Sequence, residues 1–305
     1  MTYESFKQEL IQMLSVHLSA DTSFQVQQIL KNNGLRLDGL SISTPEVNIS
    51  PTIYLNYYYE QYQSGTSLDS IADKILACYH RYRMEESIDL SFFENFKTVR
   101  ERIIYKLVNL KQNEALLAEI PFVPYLDLAI VFCYHLDHPA TDAKDEAITN
   151  ASILIRNSHL DYWHITLTEL LTAARHNTPH LLQPTFCPLT QMLAQMQLPD
   201  MEDMDLAEQL PDYPLYLLTN RRQFLGAATI LYHGLLKKCA DELQSDLLIL
   251  PSSIHEVLLL PYDGDQSLEE CSRIVCQVNE DSVSPEEILS DHVYLFDRRT
   301  NQIHY

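Results

Sequence analysis

Residues 126–136 form the longest apolar stretch of the chain, and no other segment constrains the fold as much. Leu126, Leu128, Ile130, Phe132 and Tyr134 alternate with Asp127, Ala129, Val131, Cys133 and His135, so a period of two leaves both faces largely apolar. Such a strand is stable only with strands beside it and layers above and below, which predicts a central strand in a layered protein. The stretch falls short of the roughly 20 apolar residues that cross a bilayer, so no membrane association is expected.

The flanking sequence fills in both kinds of element. Phe6, Leu10, Leu14 and Leu18 recur at helical spacing, predicting a helix over 3–18. Phe24, Val26 and Leu30, the turn-formers Asn32-Asn33-Gly34, and then Leu35, Leu37, Leu40 and Ile42 predict a β-hairpin. Residues 53–62 and 68–79 read as two helices joined at Gly65. Phe93, Phe96, Val99, Ile103 and Leu107 predict a third helix starting behind Asp89 or Ser91. Residues 152–155 suit a short strand. Thr166-x-x-Glu169 has capping-box spacing and opens a helix ending near Asn177-Thr178-Pro179.

Residues 179–214 are dense in proline and carry Asp200, Glu202, Asp203, Asp205, Glu208 and Asp212, with no Lys or Arg between Arg175 and Arg221. This composition suggests a linker at 181–213 between domains at 1–180 and 214–305. The second half reads as strands at 215–218, 225–231, 246–250, 256–260 and 293–296, with helices at 235–243 and 267–278. The expected class is α+β: an N-terminal mixed domain followed by a smaller C-terminal sheet with helices on one face.

Composition removes several functions. The six glycines fit neither G-x-G-x-x-G nor a P-loop, which disfavours the common nucleotide sites, and no cofactor is expected. The formal net charge of -21 leaves no cationic excess for phosphates, so no nucleic-acid partner is expected. Six scattered cysteines without C-x-x-C read as free thiols of a reducing compartment, and the first residues lack a basic region before an apolar run, so the cytoplasm is the expected location.

Three groups of residues could carry function. Cys133, His135 and Asp137 would share one strand face, as metal ligands do, although no second group with partner spacing follows. The plainer reading is a strand end whose polar residues leave the core. Ser253, His255 and Glu256, between two apolar strands, hold the ingredients of nucleophile activation. The nucleophile elbow G-x-S-x-G is absent, His255 and Glu256 would point to opposite faces of a strand, and a turn whose hydroxyls satisfy backbone groups is the simpler account. Tyr54, Tyr58 and Tyr62 would be core at i, i+4, i+8, leaving Tyr57 and Tyr59 as an exposed pair suited to a partner.

Several collinear phrases resemble an uncharacterised bacterial family, a domain of unknown function. They are Lys31-Asn32-Asn33-Gly34, Leu37-Asp38-Gly39-Leu40, Asn48-Ile49-Ser50-Pro51-Thr52-Ile53-Tyr54-Leu55, Asn177-Thr178-Pro179, Leu250-Pro251-Ser252-Ser253-Ile254-His255-Glu256 and Leu289-Ser290-Asp291-His292-Val293-Tyr294. The resemblance implies an intracellular bacterial protein and supplies no catalytic residues. The expected function is a noncatalytic interaction or regulatory protein. The alternatives are a small hydrolase using Ser253 and His255, or a metal held near Cys133, His135 and Asp137, and, from charge alone, an acidic decoy for DNA-binding proteins. In an electrophoretic shift assay at moderate salt the protein should leave duplex DNA unshifted. Saturable, salt-sensitive binding below micromolar would show a local basic patch outweighing the net charge.

Overall fold

The computed structural model describes residues 1–45, 47–48, 50–83, 91–136, 152–195, 214–251 and 253–305. Asp137 and the acidic run at 200–212 lie outside the described residues. The chain divides into two compact units, Met1–Lys31 with Leu35–Phe92, and Asn32–Gly34 with Phe93–Tyr305. Of the linker expected at 181–213, residues 196–213 lie outside the described residues. The class is α+β, with three antiparallel sheets among the described residues.

In the first unit α1 (Tyr3–His17) starts at Thr2, whose hydroxyl accepts the Ser5 N–H at 3.3 Å. The hairpin of β1 (Ser23–Leu30) and β2 (Arg36–Ser43) follows, and β3 (Thr52–Tyr54) adds to β2. Helices α2 (Leu55–Gln63) and α3 (Leu68–Tyr82) are joined at Gly65, whose φ of 100° suits a residue without Cβ. Phe6, Leu10 and Leu14 of α1 meet Leu40 and Ile42 of β2 and Ile71, Ile75 and Tyr79 of α3 in one core. The helical stripe read from the sequence is this buried face.

The second unit is built on β6 (Leu128–His135), every residue of which is buried. It pairs with β4 (Ile103–Asn109) on one side and with β5 (Phe122–Tyr125) and β7 (Ser152–Leu154) on the other, which makes it the central strand that its two apolar faces require. The third helix does not form. Phe96–Val99 is one helical turn, capped by Asn95, and Ile103 and Leu107 lie in β4. The β-branched Ile103, Ile104 and Val108 fit a strand buried on both faces, and the pairing with β6 outweighs a spacing that a helix would also satisfy.

After α4 (Asn157–Trp163), α5 (Leu167–Leu181) opens with the expected capping box. Thr166 N–H donates to Glu169 Oε2 at 2.8 Å, and the Glu169 carboxyl is held below the usual range chiefly by that backbone donor. The helix continues through Pro179 to Leu181 because its end is anchored. Asn177 Nδ2 donates to the Ile103 and Arg100 carbonyls, and Thr178 Oγ1 accepts the Tyr105 N–H at 3.1 Å, occupying backbone groups of β4.

The six-stranded sheet runs β13-β12-β10-β11-β9-β8, with β8 (Pro184–Pro188), β9 (Tyr216–Asn220), β10 (Asp246–Leu250), β11 (Val257–Tyr262), β12 (Tyr294–Asp297) and β13 (Gln302–His304). Helices α6 (Leu189–Gln195), α7 (Leu235–Leu243) and α8 (Leu268–Ser282) connect its strands. The strand expected at 225–231 is instead a 3-10 segment, Gly226–Leu231, closed by Thr229 Oγ1 donating to the Gly226 carbonyl at 2.7 Å. A short apolar run fits either form, and here burial as helical turns prevails.

One irregular segment, residues 285–290, is gripped carbonyl by carbonyl. Asn33 Nδ2 donates to Pro285 O and Ile288 O, Asn32 Nδ2 to Glu286 O, Asn109 Nδ2 to Leu289 O and Asn279 Nδ2 to Ser290 O, at 2.7–3.1 Å. The remaining carbonyl, that of Glu287, accepts the Ile254 N–H at 2.8 Å. Asn33 and Asn113 also bond each other twice, and Asn33 adopts φ 57°, the left-handed region that asparagine tolerates. Asn33→Gly keeps that backbone freedom and removes the amide. It should lower stability by about 1–3 kcal/mol in urea melts, and equal stability would show that the amide bonds contribute nothing net.

Candidate functional site

The link from β10 to β11 is shaped by its own side chains. Ser253 Oγ accepts the His255 N–H at 2.9 Å and donates to Glu256 Oε1 at 2.8 Å. Leu225, held at φ 55°, donates its N–H to His255 Nδ1 at 3.2 Å, and the ring's Nε2 lies 3.6 Å from Glu287 Oε1. Thr219 Oγ1 donates to the His255 carbonyl at 2.7 Å. Gly226 is required beside them, because a Cβ there would collide with the Thr219 hydroxyl and the His255 carbonyl oxygen.

This arrangement occupies the polar atoms of the three residues. A neutral imidazole whose Nδ1 accepts a backbone N–H carries its proton on Nε2, and in that state neither nitrogen offers a lone pair to Ser253. The Ser253 hydroxyl proton is directed at Glu256 instead of at the ring. Strand β11 begins only at Val257, so His255 and Glu256, placed by the sequence on opposite strand faces, line one cleft.

That cleft has a volume of about 580 Å³. Its walls are apolar, from Leu189, Leu193, Leu217, Leu258 and Val278, and its polar end is Thr219, Ser253, His255, Glu256 and Glu287. The size suits a small molecule or a few side chains of a larger ligand.

A second Ser-x-His repeats the local device. Ser290 Oγ accepts the His292 N–H at 3.0 Å and donates to Asp127 Oδ2 at 2.6 Å. His292 Nδ1 meets the same Oδ2 at 3.0 Å, and the Tyr294 hydroxyl donates to Oδ1 at 2.8 Å. Burial, with Asp127 beside it, keeps the Tyr294 phenol protonated far above its ordinary range. Sequence reasoning missed this cluster, since Asp127 and His292 are 165 residues apart. The one signal was the phrase from Leu289 to Tyr294.

The other sequence candidates are placed differently. Cys133 and His135 are buried within β6, and burial pushes the Cys133 thiol up. Among the described residues no group of three or more His, Cys, Asp or Glu could hold a metal ion. Tyr57 is exposed, but Tyr59 is not its exposed partner. Its ring lies 4.9 Å from that of Tyr3 and 5.2 Å from that of Phe6, and its hydroxyl donates to Met1 O. Helix α1 covers that side of α2, which a pattern within one helix cannot reveal.

Burial also sorts the six free cysteines. Burial, with Glu242 beside it, pushes the Cys239 thiol up to about 12. Because only thiolate reacts, a maleimide at pH 8 should modify Cys187, Cys271 and Cys276 before Cys133 and Cys239, read by mass spectrometry. Equal rates would show that both β6 and α7 open in the native state.

Among the described residues no helix is long and apolar enough to cross a membrane. No curated protein and no solved structure matches the chain. A family model does: it covers residues 3–298 and describes a family of unknown function, DUF5688. The chain, matched over nearly its whole length, belongs to that family.

Proposed function

We propose that this protein is a noncatalytic binding protein of the bacterial cytoplasm, taking a protein partner at the cleft bordered by His255, Glu256 and Glu287. The observation that carries the reading is the direction of the Ser253 and His255 hydrogen bonds. The hydroxyl is turned to Glu256, and the ring's Nδ1 to the Leu225 N–H. Nucleophile activation needs the hydroxyl on the imidazole, and reaching that state would break bonds that hold the link in shape. Burial of Cys133 and His135 inside β6 likewise weighs against a metal there. The family resemblance and six free thiols support the cytoplasmic setting.

A fluorophosphonate probe tests this directly. The native protein should remain unlabelled at Ser253. Ser253→Ala should cost about 0.5–2 kcal/mol in thermal melts, because the His255 N–H and the Glu256 carboxylate each lose a partner. Specific labelling of Ser253, lost in the alanine variant without a change in melting temperature, would place the protein among hydrolases instead.

A further inference from the structure

An edge strand is where a sheet can take on another chain, and among the described residues most edges are blunted. Strands β3, β7 and β13 have three residues each, β5 carries Pro124, and β8 begins and ends on Pro184 and Pro188. The edge of β4 is met by Asn177 and Thr178. Strand β1 differs. It is an edge strand of eight residues, Ser23–Leu30, with no proline and no charged side chain. Lys31 N–H donates to Leu35 O at 2.7 Å, so by antiparallel alternation the odd-numbered residues of β1 turn their backbone groups to β2. Phe24, Val26, Gln28 and Leu30 turn theirs to the open edge. Asp38, opposite Gln28, accordingly sends its own N–H away from β1, to Asn56 Oδ1 at 2.7 Å. Among the described residues nothing is hydrogen-bonded to the outward groups of β1. The side chains agree: Phe24 and Val26 are half-buried at the margin of the core, whereas Ile42 and Leu40 directly opposite are fully buried.

We propose that β1 pairs antiparallel with β1 of a second copy of this chain, joining the two three-stranded sheets into one. The surface lies in the first unit and is independent of the cleft. Backbone geometry selects the occupant. The outward residues need a strand presenting the same alternation, and a two-fold axis at Gln27 supplies it from the chain itself. Phe24 then faces Leu30 of the second copy, Val26 faces its Gln28, and every outward N–H and C=O has a partner. Side chains favour the same register. On the core side Phe24 and Leu30 cover each other, and on the outer face Gln27 meets its own equivalent in a non-hydrogen-bonded pair, where side chains lie closest. Shifting by two residues would leave Leu30 or Phe24 opposite no strand residue, and shifting by one would set apolar side chains on the wrong face. The strand carries no charge to select a foreign segment, whereas its own copy matches it in length, polarity and register.

Sedimentation velocity on the full chain, from about 1 µM to about 1 mM, tests this. A reversible dimer is expected, tightening as salt rises, because the net charge of -21 repels a second copy and salt screens that repulsion. Amide exchange at Phe24, Val26, Gln28 and Leu30 should slow as protein concentration rises. Gln28→Pro, which removes an outward N–H at an exposed position, should weaken the dimer about tenfold or more. Gln27→Lys should weaken it several-fold by opposing like charges across the axis, and mixing that variant with Gln27→Glu should restore a heterodimer. Both sites are exposed, and circular dichroism should report an unchanged fold. If Gln28→Pro disturbs the fold, the charge swap at Gln27 decides alone. Four results would overturn the proposal: a monomer at every concentration, a dimer indifferent to Gln27→Lys, a dimer weakened by salt, or a dimer in which those four amides exchange no more slowly.

Discussion

Asparagine amides fix the backbone of the segment on which the candidate site depends. Residues 285–290 have no regular secondary structure, yet each of their carbonyls has a donor, and five of the bonds come from side-chain amides of Asn32, Asn33, Asn109 and Asn279. An irregular segment whose carbonyls turn inward is tolerable only if they are satisfied, because each orphan would cost on the order of 1–3 kcal/mol. Once they are, Glu287 is held beside His255, and Ser290 is presented to Asp127. The turn Asn32–Gly34, the end of β4 and α8 converge on one stretch of chain, and the polar ends of two clusters follow from it.

The two Ser-x-His links show how one local geometry serves different ends. In both, the serine hydroxyl accepts the N–H of the histidine two residues on and donates to a carboxylate. The rings differ. His255 has its Nδ1 occupied by a backbone donor, whereas His292 has its Nδ1 on Asp127 and projects outward. A serine and a histidine at this spacing therefore build a turn first. In each link the hydroxyl accepts the backbone N–H that brings the two residues close, so proximity in sequence alone does not place it on the ring.

How much was legible follows from where each signal resides. Local patterns survived: the two apolar faces of residues 126–136 made β6, the stripe Phe6, Leu10 and Leu14 made the core face of α1, and Thr166 with Glu169 made a capping box. Spacing at three and four residues failed at Ile103 and Leu107, because β6 supplies a partner along all of β4. The bond from the His255 N–H to the Ser253 hydroxyl is local, but the neighbours of the ring, Leu225 and Glu287, are joined to it by no local pattern. Asn33 was readable as a turn residue and unreadable as a clamp, since its acceptors are more than 250 residues away. Long-range polar contacts leave no period in a sequence.

The asparagine grip sets a limit on how this chain can vary. Acidic side chains outnumber basic ones 42 to 21, so the protein as a whole accommodates carboxylates readily. At Asn32, Asn33, Asn109 and Asn279 the nearly isosteric aspartate would replace a donor by an acceptor and set it against a carbonyl oxygen already facing it. Similarity of shape offers no safety where the proton is what matters. A strongly acidic molecule thus contains a handful of sites that cannot share its acidity.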